Sequence, residues 1–494
     1  MIYTSTRGKE TAPRSSAYAI KTGLAEDGGL YMPLGIPELL SEDINALAEM
    51  SYPERAAKIL SLFLEDYTAD ELLSDAKAAY SEEKFGAHPA PVTKLDDGTY
   101  MLELWHGPTS AFKDMALQLM PRLFTRALKK SGENRSAMIL VATSGDTGKA
   151  ALEGYRDIPG TTIKVFYPVD GVSTVQKLQM QTQEGSNVSV SAIRGNFDDA
   201  QNGVKAIFSD EEFKAELNKK DVFLSSANSI NWGRLVPQIV YYVSAYCDMI
   251  KSGAIKCGEK IDVCVPTGNF GNIFAAFIAK LMGLPIEKLI CASNMNNVLT
   301  DFLRTGEYNK NRAFHTTISP SMDILISSNL ERLLFTLLGP EKTSTYMKEL
   351  RESGKYKLKE DEFSLVKESF LGYFTDEEET KKTIKDCFEK KNCLIDTHTA
   401  VALHAANTYA TDYKAERKIL VVSTASAYKF ANDVLESLRG TRAASDILSL
   451  SELEKYTGTK APSNLSGLTE KKVLHSETID KDEMKNNVLS FANN

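Results

Sequence analysis

The chain has 494 residues, of which 43% are hydrophobic and 25% charged, and its formal net charge is −8. This length allows two or more globular domains, and the negative charge argues against a nucleic-acid partner bound through a basic face. No apolar run reaches the ~18–20 residues of a membrane span and the N-terminus lacks a secretory core, so we expect a cytosolic protein without membrane contact.

The first part of the chain, residues 1–92, is expected to form an N-terminal domain. Apolar residues spaced three and four apart predict helices over residues 43–64. The turn-forming sequence DDGT, residues 96–99, predicts a hairpin-like boundary after this domain. The stretch 114–130 then has the apolar spacing of a helix, which Pro121 should kink or restart.

From about residue 137 onward, short strand-like runs alternate with loops and helical patterns. The runs are residues 137–143, 161–168, 261–266 and 418–423. Such alternation predicts an α/β fold with a mainly parallel sheet, in which ligands bind at the carboxyl ends of the strands. Several of the six cysteines lie in apolar runs and none forms a CxxC pair, so buried reduced thiols are expected rather than disulfides or a metal site.

Two stretches differ from this pattern. Residues from about 300 to 392 are charged and helical in pattern, and we interpret them as a helical insertion on the periphery of the α/β core. Residues 441–494 contain a loop-like segment and a charged tail, which we expect to form a C-terminal extension packed on the surface. The core itself would then span residues 93–440.

Lys113 is the residue on which the functional argument depends. It lies in WHGPTSAFKD, residues 105–114, directly after an aromatic residue and before a helical pattern. Most lysines are solvated surface charges. The alternative is a desolvated amine whose lowered pKa suits it to form a Schiff base.

Three loops carry polar groups at the ends of predicted strands. TGNFGN, residues 267–272, places two glycines at the expected N-terminus of a helix, where N–H groups can bind a phosphate, although such a turn is as often only structural. TSGDTG, residues 143–148, offers hydroxyls and N–H donors to a substrate carboxylate, and Asp146 could reach a cofactor hydroxyl. This loop lacks the glycine and Ser/Thr positions of a Walker loop, so Lys149 is expected to be an ordinary helix-start residue. Thr424, in STASAYKF, could hydrogen-bond a pyridine nitrogen or simply cap a helix.

Together these motifs resemble the threonine synthases, a family of fold-type II pyridoxal-phosphate enzymes. The resemblance rests on HGPTSAFKD, TSGDTG, GNFGN and STAS–YKF in this order, and it extends to STRG, DGGLYMP, RGNFDDAQ, NSINWGR and DTHTAVA. The length and the insertion resemble the longer branch of the family. Ala427, where the family motif has proline, and Pro121 depart from the pattern, and both differences are expected to be structural. The resemblance implies a two-lobed, tryptophan-synthase-β-like core of mainly parallel sheets flanked by helices.

The resemblance also implies which residues bind the cofactor, pyridoxal 5'-phosphate. Lys113 would form the Schiff base. Asp146 would face the cofactor's 3-hydroxyl and Thr424 its pyridine nitrogen. The main chain that would hold the cofactor phosphate belongs to Gly268, Asn269, Phe270, Gly271 and Asn272.

Substrate residues are implied in the same way. Ser144 and Thr147 would bind the substrate carboxylate. The candidates for a second anion site, for the substrate phosphate, are Lys177, Asn231 and Arg234. For the two cations among these, a solvated or structural ion-pair role is as plausible.

The reaction so implied converts O-phospho-L-homoserine and water to L-threonine and phosphate. The phosphate leaves from the γ carbon, remote from the cofactor, so protons must first leave the α and β carbons, and the Lys113 amine is the expected shuttle. Water adds at the β carbon only, so closure of one lobe on the other is expected. No metal, membrane or nucleic acid is implied, and the enzyme would be a monomer or a homodimer.

Other functions remain open at this point. A threonine-synthase-like phospholyase, giving 2-oxobutyrate, ammonia and phosphate, would share almost every cofactor residue. A serine or threonine dehydratase fits less well because it needs no second phosphate site. A non-catalytic phosphate- or nucleotide-binding regulator would be colourless and would leave Lys113 unexplained. His398, in DTHTAV, could act as a base, but a packing or capping role is favoured.

Overall fold

The structure is a computed structural model that describes residues 1–8, 12–143, 145–170 and 172–493. The strands, labelled β1 to β15 in chain order, are Tyr3–Ser5, Tyr31–Pro33, Val92–Lys94, Thr99–Glu103, Ser136–Ala142, Thr161–Pro168, Val188–Arg194, Val222–Ser225, Ile261–Pro266, Ile286–Ser293, Glu307–Asn309, Lys355–Lys357, Phe370–Phe374, Ile419–Ser423 and Thr478–Asp480. The α-helices, labelled α1 to α23, are Ser16–Thr22, Ser41–Ala48, Tyr52–Phe63, Ala69–Ala79, Glu82–Phe85, Lys113–Leu117, Met120–Lys130, Asp146–Tyr155, Thr174–Gln181, Phe197–Ser209, Glu211–Asn218, Trp232–Lys251, Gly271–Leu281, Val298–Thr305, Leu330–Leu338, Pro340–Ser353, Glu360–Ser369, Glu377–Lys391, Thr397–Tyr413, Ala431–Arg439, Asp446–Thr457, Ser463–Ser466 and Met484–Phe491. Within the described ranges, no helix has both the length and the apolar character needed to cross a membrane.

Two mainly parallel sheets form the framework of the α/β core. The larger sheet has six strands in the order β13-β10-β9-β14-β4-β3, all parallel to their neighbours except β3, which pairs with β4 in an antiparallel hairpin. The smaller sheet has five parallel strands in the order β15-β7-β6-β5-β8. Helix α19 packs on the larger sheet, and α8 and α10 pack on the smaller one. This arrangement confirms the predicted α/β class with mainly parallel sheets.

The four strands predicted from apolar runs are β5, β6, β9 and β14. Strands β6 and β9 begin and end at the predicted residues. Every residue of β9 and β14 is buried, which explains why their sequences are near-continuous apolar runs rather than alternating ones. Helices on both faces of a parallel sheet require this pattern.

The segments on either side of Lys113 also form as predicted. Strands β3 and β4 are the hairpin expected around DDGT. After Lys113, helix α6 ends at Leu117 and α7 begins at Met120, with Pro121 in its first turn. An N–H in the first helical turn has no intrahelical partner, so proline is tolerated there and restarts the helix.

The segment 300–392 and the C-terminal tail each contribute a strand to one of the two sheets, which the sequence did not predict. Besides helices, the segment contains β13, which pairs in parallel with β10 at one edge of the larger sheet. The tail contributes β15 to the edge of the smaller sheet and α23, whose Met484 and Val488 are buried. Both strands are only three to five residues long and follow charged segments, so their apolar pattern is too short to recognise.

The N-terminal residues pack against α12, the longest helix of the core. Helices α2 and α3, which cover the predicted helical stretch, both contact α12. Trp232 at the start of α12 makes ring contacts with Tyr3 and Phe63. The domain boundaries at residues 92 and 440 stay a prediction.

Candidate active site

A cavity of about 790 Å³ lies at the carboxyl ends of strands from both sheets. Three adjacent strands of the larger sheet, β4, β14 and β9, lead into the segments that carry Lys113, Thr424 and Gly268–Asn272. Strand β5 of the smaller sheet leads into Asp146 and Thr147. Because the carboxyl ends of parallel strands meet at one edge, segments far apart in the chain line the same cavity. All the predicted cofactor residues are among them.

The segment before Lys113 is fixed to the loop that contains Thr424. The Phe112 N–H donates a hydrogen bond to the Thr424 carbonyl at 2.8 Å, and Ala111 forms an isolated antiparallel bridge with Ala425. On its other side, the segment is held by Asp114. These backbone contacts position the lysine relative to the end of β14.

Asp114 holds the preceding turn through two hydrogen bonds. The Thr109 N–H donates to Asp114 Oδ2 at 2.8 Å, and Thr109 Oγ1 donates to Oδ1 at 2.6 Å. Burial raises the pKa of Asp114 to about 6, against the lowering effect of these bonds. Gly107 lies so close to this carboxylate that an added Cβ would be 2.6 Å from the Asp114 side chain. Only glycine therefore fits at this position of the turn.

The Lys113 amine is desolvated inside the cavity. Its Nζ donates to Ser321 Oγ at 3.2 Å and lies 3.8 Å from Asp146 Oδ2. Burial lowers the pKa of Lys113 to about 8; Asp146 opposes this shift, while Arg234 and Lys429 add to it. The environment is that of a reactive amine rather than of a solvated surface lysine.

Asp146 is an ionised carboxylate at the start of α8. Its Oδ1 lies 2.8 Å from Lys429 Nζ and accepts a hydrogen bond from Gln176 Nε2 at 2.8 Å. Burial would raise the pKa of Asp146, but Lys429 and Lys113 together hold it well below its usual range. The carboxylate therefore keeps its negative charge beside the Lys113 amine.

The segment Gly268–Asn272 provides uncharged donors for an anion. It ends in the first turn of α13, whose first N–H groups have no partner inside the helix. Phe270 is in the left-handed conformation, with φ 61°, in the kind of turn where successive N–H groups form an anion-binding concavity. A Cβ on Gly268 would lie 2.7 Å from the Ser321 carbonyl oxygen, so this close approach requires glycine.

Asn272 contributes an unsatisfied donor to the same segment. Its Oδ1 accepts hydrogen bonds from the hydroxyls of Tyr241 and Tyr242. Its Nδ2 is buried and has no hydrogen-bond partner among the described residues. A buried donor of this kind is costly unless an acceptor occupies the neighbouring space. The segment is thus suited to bind a phosphate group.

Of the predicted substrate residues that the structure describes, some line the cavity and others do not. Thr147 and Arg234 line the cavity, whereas Lys177 is half-buried on α9 and is not among the residues of the cavity wall. Asn231 is a helix cap: its Oδ1 accepts from the Gly233 N–H at 2.8 Å and its Nδ2 donates to the Ile20 carbonyl at 2.9 Å. Ser144 lies outside the described residues.

Arg234 is a buried cation that faces the cavity from α12. It is 6% exposed, and burial lowers its pKa to about 10. Its Nη1 donates to the Ala227 carbonyl at 2.8 Å. Asn228 and Ser229, between Ala227 and the start of α12, also line the cavity. The motif NSINWGR therefore does contribute to the site, but through its first two residues and its arginine rather than through Asn231.

Sequence reasoning missed the contacts made by Ser321 and the surroundings of His398. Ser321, in the 3-10 turn Pro320–Met322, bonds Lys113 through its hydroxyl, and its N–H donates to His398 Nε2 at 3.1 Å. His398 Nδ1 in turn bonds Asp396 Oδ2 at 2.8 Å. His398 thus holds the Ser321 turn at the cavity wall, and the packing or capping role expected from the sequence stays a prediction. No signal in the sequence around residue 321 indicates this contact.

Two protein-family models match the chain. The model "Threonine synthase N terminus" matches residues 2–80, and the model "Pyridoxal-phosphate dependent enzyme" matches residues 88–425. The second match covers all the residues that line the cavity, which run from Phe112 to Thr424. It therefore agrees with the two-sheet architecture and with the position of the buried lysine.

Individual proteins are similar over most of the chain. A threonine synthase from Corynebacterium glutamicum is 38% identical over 451 residues, which are 89% of this chain and 91% of that protein. The crystal structure of a pyridoxal-phosphate-bound threonine synthase from Brucella melitensis has a TM-score of 0.89 at 36% identity, and 100% of each chain is covered. Human threonine synthase-like 1 is 39% identical over 433 residues, and here the chain spans 85% of its own length but only 58% of the relative's.

Proposed function

The chain belongs to the threonine synthase family of pyridoxal-phosphate-dependent enzymes, and on this premise we propose that it converts O-phospho-L-homoserine and water to L-threonine and phosphate. One observation carries the proposal: the buried Lys113 amine shares a cavity with two separate groups that are suited to bind an anion, the N-terminus of α13 and Arg234. A phosphorylated cofactor and a phosphorylated substrate together need both groups. A dehydratase would need only the first.

In this proposal the residues predicted for the cofactor keep their roles. Lys113 would carry the cofactor, and the main chain of Gly268–Asn272 with Asn272 Nδ2 would bind its phosphate. Asp146 would face the 3-hydroxyl of the cofactor, and Thr424 would face its pyridine nitrogen. The fit is supported by the unsatisfied Nδ2 donor and by the left-handed turn. When bound, pyridoxal phosphate withdraws electrons from the substrate's α carbon and so lowers the free energy needed to remove a proton there.

The substrate is held by residues that come mainly from the smaller sheet. Thr147 and the N–H groups at the start of α8 bind the substrate carboxylate, with Ser144 as a further predicted ligand. Arg234, supported by Asn228 and Ser229, binds the substrate phosphate and stabilises its charge as it leaves. Asn228 and Ser229 take the place that the sequence assigned to Lys177 and Asn231.

Proton transfer is assigned to Lys113. A pKa of about 8 lets its Nζ exist in both protonation states near neutral pH, which favours a group that must accept and return protons. Ser321 Oγ keeps this nitrogen oriented at 3.2 Å. Movement of the two sheets toward each other would exclude bulk water from the α and β carbons, and this closure stays a prediction.

The test is incubation of the purified protein with O-phospho-L-homoserine, with phosphate and the organic product followed together by NMR. Phosphate and threonine in equal amounts are expected. Phosphate with 2-oxobutyrate and ammonia would keep the cofactor site but move the enzyme to the phospholyase reaction. The absence of phosphate release by a folded, yellow protein would overturn the proposal. The Lys113→Ala variant is the negative control.

The assembly and the location of the protein stay predictions. We expect a monomer or a homodimer in the cytosol, acting on a small molecule. Light scattering of the eluting protein in size-exclusion chromatography decides between the two assembly states.

A further inference from the structure

Lys429 is a second buried lysine beside Lys113, and the proposed reaction gives it no role. It lies in the 3-10 turn Ala427–Phe430 that follows β14, and its side chain is 0% exposed. Its Nζ lies 2.8 Å from Asp146 Oδ1 and donates to the Thr109 carbonyl at 2.9 Å. Burial of a charged lysine is unfavourable unless the charge is paired, and an apolar side chain would fill the same space without that cost. The lysine therefore calls for a functional explanation.

The two oxygens of Asp146 have different neighbours. Oδ1 is engaged by Lys429 and by Gln176 Nε2, both at 2.8 Å. Oδ2 faces Lys113 Nζ at 3.8 Å, which is beyond hydrogen-bond distance. The cation and the amide on Oδ1 favour an orientation of the carboxylate in which the contact between Oδ2 and Lys113 stays long. Among the described residues, the Lys113 amine keeps Ser321 Oγ as its hydrogen-bond partner.

We propose that Lys429 is a positioning residue that holds the Asp146 carboxylate ionised and too far from Lys113 Nζ for a short ion pair, so that Lys113 remains free to lose its proton. This inference rests on the proposed function in taking Lys113 as the lysine that carries the cofactor. One carboxylate between two ammonium groups can neutralise only one of them. The shorter contact assigns it to Lys429. Lys113 is then the lysine that gives up its proton.

Other charged groups face the two lysines from the surrounding elements. Arg234 on α12 lines the same cavity, and Asp114 lies next to the Thr109 turn that Lys429 contacts. Beyond Ser321, His398 and Asp323 also line the cavity. These groups are the same in all the variants below, so differences between variants report on Asp146 and Lys429.

A pH titration of the visible absorbance of the cofactor-loaded, full-length protein tests the proposal. In Lys429→Met, the freed Asp146 carboxylate would stabilise the proton on the Lys113 nitrogen. The midpoint of the spectral change should then rise by about one pH unit or more. Lys429→Gln should shift the midpoint in the same direction, and Asp146→Asn should lower it. Lys429→Gln and Asp146→Asn each still test the proposal if Lys429→Met does not fold.

Lys149→Met is the matched control. Lys149 is also a largely buried lysine, and on α8 it is paired with Glu153 at 3.2 Å rather than with Asp146. Its replacement should leave the midpoint of the spectral change at the wild-type value. A shift as large as that of Lys429→Met would mean that the loss of any buried lysine perturbs the site, and this would overturn the specific role of Lys429.

The double variant Asp146→Asn/Lys429→Met separates action through Asp146 from the direct field of Lys429. If Lys429 acts through Asp146, its replacement should move the midpoint by less than half as much once residue 146 is asparagine. Equal shifts in both backgrounds, or an unchanged midpoint in both single variants of Lys429, would overturn the proposal. A wild-type protein without any visible band would contradict the proposed function instead, so the two failures are distinguishable.

Discussion

Replacement of Arg234 by methionine is predicted to lower kcat/KM for the phosphorylated substrate by about 100-fold while the cofactor stays bound. A guanidinium has five N–H donors, and the Ala227 carbonyl takes one of them. A hydrogen bond to a charged group contributes about 1.5–3 kcal/mol, so loss of the phosphate contacts should cost about 3 kcal/mol. Each 1.36 kcal/mol is a factor of ten in rate, which gives about 100-fold.

Lys177→Met is the matched control because Lys177 is the other cation that the sequence offers for the same phosphate. It does not line the cavity, so its loss should change kcat/KM by less than about threefold. Initial rates of phosphate release at low substrate concentration give kcat/KM, and visible absorbance gives the cofactor content. A 100-fold loss in Lys177→Met with an unaffected Arg234→Met would refute the assignment. Loss of the visible band in Arg234→Met would show that Arg234 holds the cofactor rather than the substrate.

Further predictions concern Lys113, the C-terminal tail and Lys164, a buried lysine of β6. Lys113→Ala should abolish visible absorbance and turnover without changing the circular dichroism spectrum, and a yellow, active variant would contradict the site. Truncation before residue 477 should lower the free energy of unfolding by about 3 kcal/mol or more, because it removes the buried Met484 and Val488 and exposes a sheet edge; denaturant titration measures this, and a loss below about 1 kcal/mol would disprove it. Burial lowers the pKa of Lys164 from 10.5 to about 8, so the unfolded state binds more protons between these values and stability should rise with pH there. Thermal unfolding across this window should show a flatter rise for Lys164→Met, and an equal slope would contradict the shift.

The cavity could be predicted from the sequence largely because its loops follow strands that are buried on both faces. Strands β9 and β14 appear as short apolar runs, and each is followed at once by glycine, serine or threonine, which marks the carboxyl end of the strand. The burial of Lys113 could not be predicted from its own stretch, because its sequence surroundings suit a surface lysine as well. Its burial follows from the packing of the Thr109 turn under Asp114 and against the loop after β14.

The residues of the motif NSINWGR that line the cavity could not be predicted, because their positions depend on where the following helix begins. Asn228, Ser229 and Asn231 belong to one short motif and have similar chemistry. Since α12 begins at Trp232, Asn231 is the N-cap of this helix, and the side-chain amide of Asn231 forms its hydrogen bonds with the backbone. Asn228 and Ser229 instead line the cavity wall. A shift of the helix start by a few residues would exchange these roles, and helix boundaries are the least reliable part of a sequence-based prediction.

The two anion-binding groups differ in a way that matches the different fates of the two phosphates in the proposed reaction. The segment at the start of α13 offers backbone N–H groups and an amide, which are uncharged and fixed by the larger sheet. Such a site suits a cofactor phosphate that remains bound through every turnover. Arg234 instead offers a full charge, on a helix that follows β8 of the smaller sheet. Charge is worth most where it develops in the transition state, so the guanidinium belongs beside the phosphate that leaves. Lys113 and Arg234 already face the same cavity, because the helix that begins at Lys113, α6, packs against α12, which carries Arg234. Under the proposed function the proton-transfer group and the leaving phosphate are therefore held in one arrangement, and we expect closure of the lobes to exclude water rather than to bring these two residues together.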